Sequence, residues 1–182
     1  MAKIALIVGS VRHDRQGIKV APPRWMEQKL KDRNHTFFFI DPNEINLPLL
    51  DRMYKEMTSP SEMLRELENK IKSAEGYLPV TPEYNHSTSA AMKNTLDFSI
   101  VSYSPGGFGG INAAQQMRLI FAELGAPAIP SSFPISRVHE VFDENGKLID
   151  QRYEKRVKRF LDEFEWYIEA LKNQRETWGT PY

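Results

Sequence analysis

Three segments of the chain concentrate residues able to hold a flat, charged ligand. The first is Gly9-Ser10-Val11-Arg12-His13-Asp14-Arg15-Gln16-Gly17, directly after the apolar run Ile4–Val8. A strand followed by such a turn and a helix presents free backbone N–H groups and a positive dipole end, which suits a phosphate. Ser10 offers a hydroxyl, Arg12 and Arg15 offer charge-assisted bonds, and Gly9 and Gly17 allow close backbone approach. The segment contains neither G-x-G-x-x-G nor G-x-x-x-x-G-K, so a mononucleotide phosphate fits better than a dinucleotide or a nucleoside triphosphate.

The second segment is Thr81-Pro82-Glu83-Tyr84-Asn85-His86-Ser87, where the amides of Glu83, Tyr84 and Asn85 are placed to address the polar edge of a planar heterocycle. The third is Ser104-Pro105-Gly106-Gly107-Phe108-Gly109-Gly110, with four glycines in the last six residues. Such a segment lets a planar ring lie against backbone. Taken singly, each also reads as an ordinary loop. The chain has no cysteine, which removes disulfides, thiolate metal sites, Fe–S clusters and cysteine nucleophiles. Redox chemistry would therefore need a bound cofactor. The histidines His13, His35, His86 and His139 are scattered, without a helical i, i+4 pair, so no metal is expected.

These loops need elements to position them. Ile4–Val8 is apolar without alternation, the mark of a strand covered on both faces. A helix is predicted from near Gly17 through Trp25 to about Lys31, either kinked at Pro22-Pro23 or starting late with both prolines in its first turn. Thr36–Ile40 is a second strand, and Asp41 to Leu50 a loop. Ser61–Ser73 is a helix, carrying Met63, Leu64, Leu67 and Ile71 at helical spacing. Gly76–Val80 is a strand, Ala90–Phe98 a helix, Ile100–Tyr103 a strand, Asn112–Leu124 a helix, and Ala126–Ile129 the last strand. Tyr153 to about Arg175 is a long amphipathic helix with Val157, Phe160, Leu161, Phe164, Ile168 and Leu171 in one stripe.

Alternating strands and helices predict one α/β domain over residues 1–182, with a doubly wound, five-stranded parallel sheet and helices on both faces. Ligands of such sheets bind beyond the carboxyl ends of the strands, where all three segments fall. The 182 residues suit one domain. Acidic and basic residues balance at 24 each, which argues against a nucleic-acid partner. No run approaches the ~20 apolar residues of a membrane span, and Ile4–Val8 is too short for a signal peptide, so a cytoplasmic location is expected.

The chain resembles the NADPH-dependent FMN reductases, a group that includes quinone, azo-dye and chromate reductases. The resemblance rests on Gly9-Ser10-Val11-Arg12 with Arg15-Gln16-Gly17, on Pro82-Glu83-Tyr84-Asn85 with Lys93-Asn94 and Asp97, and on Gly106-Gly107 and Gly109-Gly110 leading to Arg118. Leu47-Pro48 and the terminal helix fit it as well. It implies a flavodoxin-like fold and FMN as cofactor, with NADPH or NADH as co-substrate. Ser10, Arg12, Arg15, Gln16 and Gly17 would hold the phosphate, and Pro82, Glu83, Tyr84 and Asn85 the isoalloxazine. Ser104, Gly106 and Gly107 would line the ring's other edge.

No catalytic side chain is required. The implied activity passes hydride from NAD(P)H to flavin and then to a small acceptor: a quinone, azo dye, free flavin or metal oxyanion. The alternatives are a flavodoxin-like electron carrier, which the balanced charge disfavours, and an FMN-binding protein with little turnover. A homodimer or dimer of dimers is implied.

Two departures from the family stand out. Only Phe98 and Ser99 separate Asp97 from Ile100, about ten residues fewer than usual. That leaves no room for the turn of a crossover, so the helix is truncated or a segment is absent from this sequence. Ser89-Ala90-Ala91 replaces a common Pro-Gly, a change expected to alter only the helix start.

Overall fold

A computed structural model describes residues 1–12, 22–45, 54–93 and 100–179. Strand β1 (Lys3–Val8) is followed by α1 (Pro22–Asp32), β2 (Thr36–Ile40), α2 (Pro42–Ile45) and α3 (Glu62–Ser73). Then come β3 (Gly76–Pro82), α4 (Ala90–Lys93), β4 (Val101–Tyr103), α5 (Ile111–Glu123), β5 (Phe133–Ile135), α6 (Val138–Val141) and α7 (Arg152–Trp178). The strands form one parallel sheet in the order β2-β1-β3-β4-β5, the flavodoxin-like order.

The continuous apolar run of β1 has the consequence its pattern implies, since Ile4 to Val8 are all buried. Ile4 and Leu6 enter the core shared with Trp25, Met26 and Leu30 of α1 and with α7. Ala5 and Ile7 point the other way, into the core shared with Leu67 of α3 and Ala114, Met117 and Phe121 of α5. Helix α7 buries Val157, Phe160, Leu161, Phe164 and Ile168, each worth ~1.5–3 kcal/mol of apolar transfer. Leu171, on the same stripe, is exposed, as is Trp166.

Several boundaries differ from the sequence pattern. Helix α1 begins at Pro22, with both prolines in its first turn, where a missing N–H costs nothing. The proposed stretch from Gly17 to Ala21 lies outside the described residues. Within Asp41–Leu50, residues 42–45 are helical rather than loop. Pro42 opens this helix, and Asp41 caps it by accepting the Asn43 N–H at 2.9 Å.

The last strand is Phe133–Ile135, and Ala126–Ile129 is not a strand. Pro127 denies that stretch a ladder donor, and Pro130 follows it directly. The Arg118 guanidinium takes carbonyls there, donating to Ile129 O at 2.8 Å and Pro130 O at 2.7 Å. Pro134 is tolerated in β5 because β5 is an edge strand. The connection around Asp97 lies outside the described residues.

Candidate flavin site

At the carboxyl edge of the sheet β1 and β3 run in register up to Val8 and Val80. Gly9 continues the pairing, its N–H donating to Val80 O at 2.9 Å. A Cβ on Gly9 would stand 3.0 Å from Thr81 Cα and Val80 O, so only glycine lets the first loop leave so close to β3.

Ser10 is buried, and its hydroxyl lies 2.7 Å from the Tyr84 phenol. The Arg12 guanidinium stands over the Tyr84 ring, 5.6 Å from its centre. The first and second loops therefore meet. Arg15, Gln16 and Gly17 lie outside the described residues.

Ser89 does more than alter the start of α4. Its hydroxyl donates to Gly9 O and accepts the Met92 N–H. It thus ties the helix after the second loop to the root of the first. Thr81 and Thr88, both buried, join hydroxyls at 2.9 Å beneath the same turn. The sequence marks Ser89 only as a departure at the helix start, because its partner Gly9 lies 80 residues away along the chain.

The second loop is a two-residue hairpin. Tyr84 and Ser87 exchange backbone hydrogen bonds of 2.9 Å, and Asn85 and His86 both take positive φ, 49° and 57°. This is the signature of a type I′ turn, usually Asn-Gly. A non-glycine residue at such a φ is strained by ~1–3 kcal/mol, strain that clusters at ligand clamps.

The pairing corrects one expectation. The Glu83 N–H donates to Tyr103 O at 3.2 Å and the Tyr84 N–H to Ser87 O, so neither is left for a ring. Only the Asn85 amide finds no acceptor among the described residues. The Glu83 carboxylate instead accepts the Asn112 N–H at 3.0 Å and the Ala113 N–H at 3.4 Å, in the first turn of α5. Pro82 closes β3 opposite Tyr103.

The third loop divides into two halves. Gly109 and Gly110 have φ of 62° and 78°, and a Cβ on either would come within about 3 Å of β4 or β5 backbone. These two glycines serve packing. A Cβ on Gly107 would meet nothing within 4 Å, and one on Gly106 only the Ser104 hydroxyl, at 3.3 Å. Ser104 Oγ accepts the Gly106 N–H, and Gly106 O accepts the Arg137 N–H at 3.0 Å, so this open surface is held in shape.

The comparisons with known proteins follow the same lines. A sequence profile of NADPH-dependent FMN reductases matches residues 2–140. The chain belongs to the NADPH-dependent FMN reductase family. A quinone reductase from Pseudomonas putida is 27% identical over 91% of this chain and 94% of its own length. An NAD(P)H-dependent FMN reductase from Nectria sp is 32% identical over 70% of this chain and 73% of its own. Among solved structures, a flavoenzyme NAD(P)H:(acceptor) oxidoreductase from Paracoccus denitrificans shares the fold, with a TM-score of 0.72 at 24% identity. That match covers 93% of this chain and 98% of the other.

As a member of this FMN reductase family the chain is an FMN-dependent NAD(P)H oxidoreductase. The residues at the carboxyl edge fit that cofactor. The three loops offer a buried Ser10 hydroxyl and the Arg12 guanidinium, both against Tyr84, an Asn85 amide with no acceptor among the described residues, and open backbone at Gly106 and Gly107.

Two cavities at the opposite edge of the sheet lack such a set. One, of about 510 Å³, holds Arg33 and His35, both of which contact the Glu165 carboxylate. The other, of about 280 Å³, is lined largely by apolar side chains such as Tyr77, Phe164 and Leu171. Among the described residues no cluster could hold a metal ion, and no helix is long and apolar enough to cross a membrane.

Proposed function

We propose that the carboxyl-edge crevice holds FMN, and that the enzyme uses NAD(P)H to reduce a small quinone-class acceptor. The meeting of the first two loops at Ser10 and Tyr84 carries this reading. FMN held there would supply the redox chemistry between the nicotinamide and the acceptor.

The chain's own residues bind and orient. Ser10 and Arg12, with Arg15, Gln16 and Gly17, hold the phosphate by charge-assisted bonds. Pro82, Glu83, Tyr84 and Asn85 form one wall for the ring, with the Asn85 amide as the donor still available. Ser104, Gly106 and Gly107 form the other wall, where the absence of side chains admits a planar ring. Hydride transfer needs the donor within about 3–3.5 Å of its acceptor, so fixed walls serve the reaction without any side chain acting as acid or base.

The quinone is favoured because the Pseudomonas putida relative, alike over nearly its full length, bears that activity in its name. The chain acts as one unit over residues 1–182, in the cytoplasm, as a homodimer or a dimer of dimers. The core that runs from Ala2 to Ile168 supports the first of these statements.

The purified protein should show paired flavin bands in the visible. It should also consume NADPH in proportion to added benzoquinone without a further enzyme. A colourless protein that takes up no FMN would overturn the reading.

A further inference from the structure

The hairpin Tyr84–Ser87 is held by side chains of a helix nearly thirty residues further on. The Ser87 hydroxyl donates to Gln116 Oε1 at 2.5 Å, and Gln116 Nε2 donates to His86 O at 3.3 Å. Asn112 Nδ2 lies 3.4 Å from His86 Nδ1. At the centre is Glu83, whose side chain is 12% exposed.

The residue before α5 is Gly110, which has no side chain to cap the helix. The Glu83 carboxylate takes that part across the fold, accepting from Asn112 and Ala113 while its own N–H is held by Tyr103 O. A carboxylate is suited to this place, since it meets both the free N–H groups and the positive end of the helix. The loop that leads into α5 carries Gly106 and Gly107.

We propose that Glu83 is a positioning residue of the flavin site: its carboxylate fixes the distance between the Tyr84–Ser87 hairpin and the start of α5, and so between the two walls of the crevice. This rests on the crevice being the FMN site. Glu83 touches no reacting atom; it acts through the Asn85 amide on one side and the glycine surface on the other. Removing the carboxylate takes away the tie from the residue before the hairpin to the backbone of α5 and leaves only the weaker contacts of Gln116 and Asn112, whereas glutamine keeps an acceptor and loses only the charge.

The test compares wild type, Glu83→Gln and Glu83→Ala. Hydrogen exchange at the Asn112 and Ala113 amides is followed in the FMN-free protein, with β1 amides as the internal standard. FMN and riboflavin affinities are measured, together with the rate of flavin reduction by NADPH at saturating flavin. Glu83→Ala should speed exchange at those two amides and leave β1 protected. It should weaken FMN and riboflavin by the same factor, ~10-fold for one charge-assisted bond lost. It should also slow reduction at saturation, which lower global stability alone would not do. Glu83→Gln should fall between, and it supplies the answer if the alanine variant does not fold.

Variants that bind both flavins within twofold of wild type and are reduced at its rate overturn the proposal, even if the two amides exchange faster. A wild type that binds no flavin overturns the crevice reading and the proposal with it. Exchange at Asn112 and Ala113 would still show whether the carboxylate caps the helix, so the two failures are told apart.

Discussion

The Ser10 hydroxyl and the Tyr84 phenol stand 2.7 Å apart, although 74 residues separate them in sequence. Ser10 is buried at the end of β1, and Tyr84 opens the hairpin after β3. The bond therefore sets the spacing between the end proposed for the phosphate and the wall proposed for the ring. Ser10→Ala and Tyr84→Phe should each cost about 1 kcal/mol of FMN affinity. The double variant should cost less than the sum, by ~0.5 kcal/mol or more, because both changes break one bond. Additive losses in a calorimetric double-mutant cycle would show that the two groups act separately.

Arg12 tests the phosphate assignment. Its guanidinium lies over the Tyr84 ring. Arg12→Ala should weaken FMN by ~10- to 100-fold, the cost of a lost charge-assisted bond. Riboflavin, which has no phosphate, should be nearly indifferent. Equal losses for the two ligands in parallel titrations would place the phosphate elsewhere.

The glycine loop should respond in two ways. Gly110→Ala puts a Cβ 3.0 Å from Tyr103 backbone at a φ of 78°. It should lower the unfolding free energy in urea by ~1–3 kcal/mol or more. Gly107→Ala meets nothing within 4 Å and should change stability by no more than about 0.5 kcal/mol. Its effect should appear as weaker flavin binding. A Gly107 variant with full flavin affinity would remove that residue from the ring's wall.

Acid should loosen the foot of the sheet. The Lys172 ammonium at 2.6 Å, with the Lys3 N–H at 2.9 Å, holds the Glu75 carboxyl below its ordinary value. Arg33, with Lys158, does the same for Asp162. Both groups titrate lower in the folded state than in the unfolded, so their stabilisation is present above the ordinary carboxylate range. It is lost as pH falls through the folded values. Urea midpoints should fall with pH below about 4. Glu75→Gln should be less stable at pH 7 and approach wild type as pH falls through the lowered folded value of Glu75. A gap that stays constant across the range would mean the ion pair contributes nothing.

What the sequence reveals depends on how local the signal is. The apolar run of β1 and the stripe of α7 name their own burial, because strand and helix periods are written in adjacent residues. The three loops could be located for the same reason, since each follows a run that reads as a strand. Contacts between distant segments leave no such trace. Glu83 looks like a solvated turn residue until the start of α5 is beside it. Ser89 looks like a helix start until Gly9 O is within reach. Ala126–Ile129 is apolar enough for a strand despite Pro127, and only the position of Arg118 shows that the Ile129 carbonyl is used otherwise.

Pro134 has a consequence for how copies of this chain can associate. An open sheet invites another chain to add a strand to its edge. On β5 the means of doing so are largely used up. Pro134 has no N–H, its carbonyl accepts from Arg156 at 3.1 Å, and the next N–H beyond the strand, that of Ser136, donates to the Tyr153 phenol at 3.1 Å. With three residues and a proline at its centre, this border offers no template for strand addition. Strand addition is thereby closed off along β5, which leaves β2 as the border of the sheet where another strand could pair.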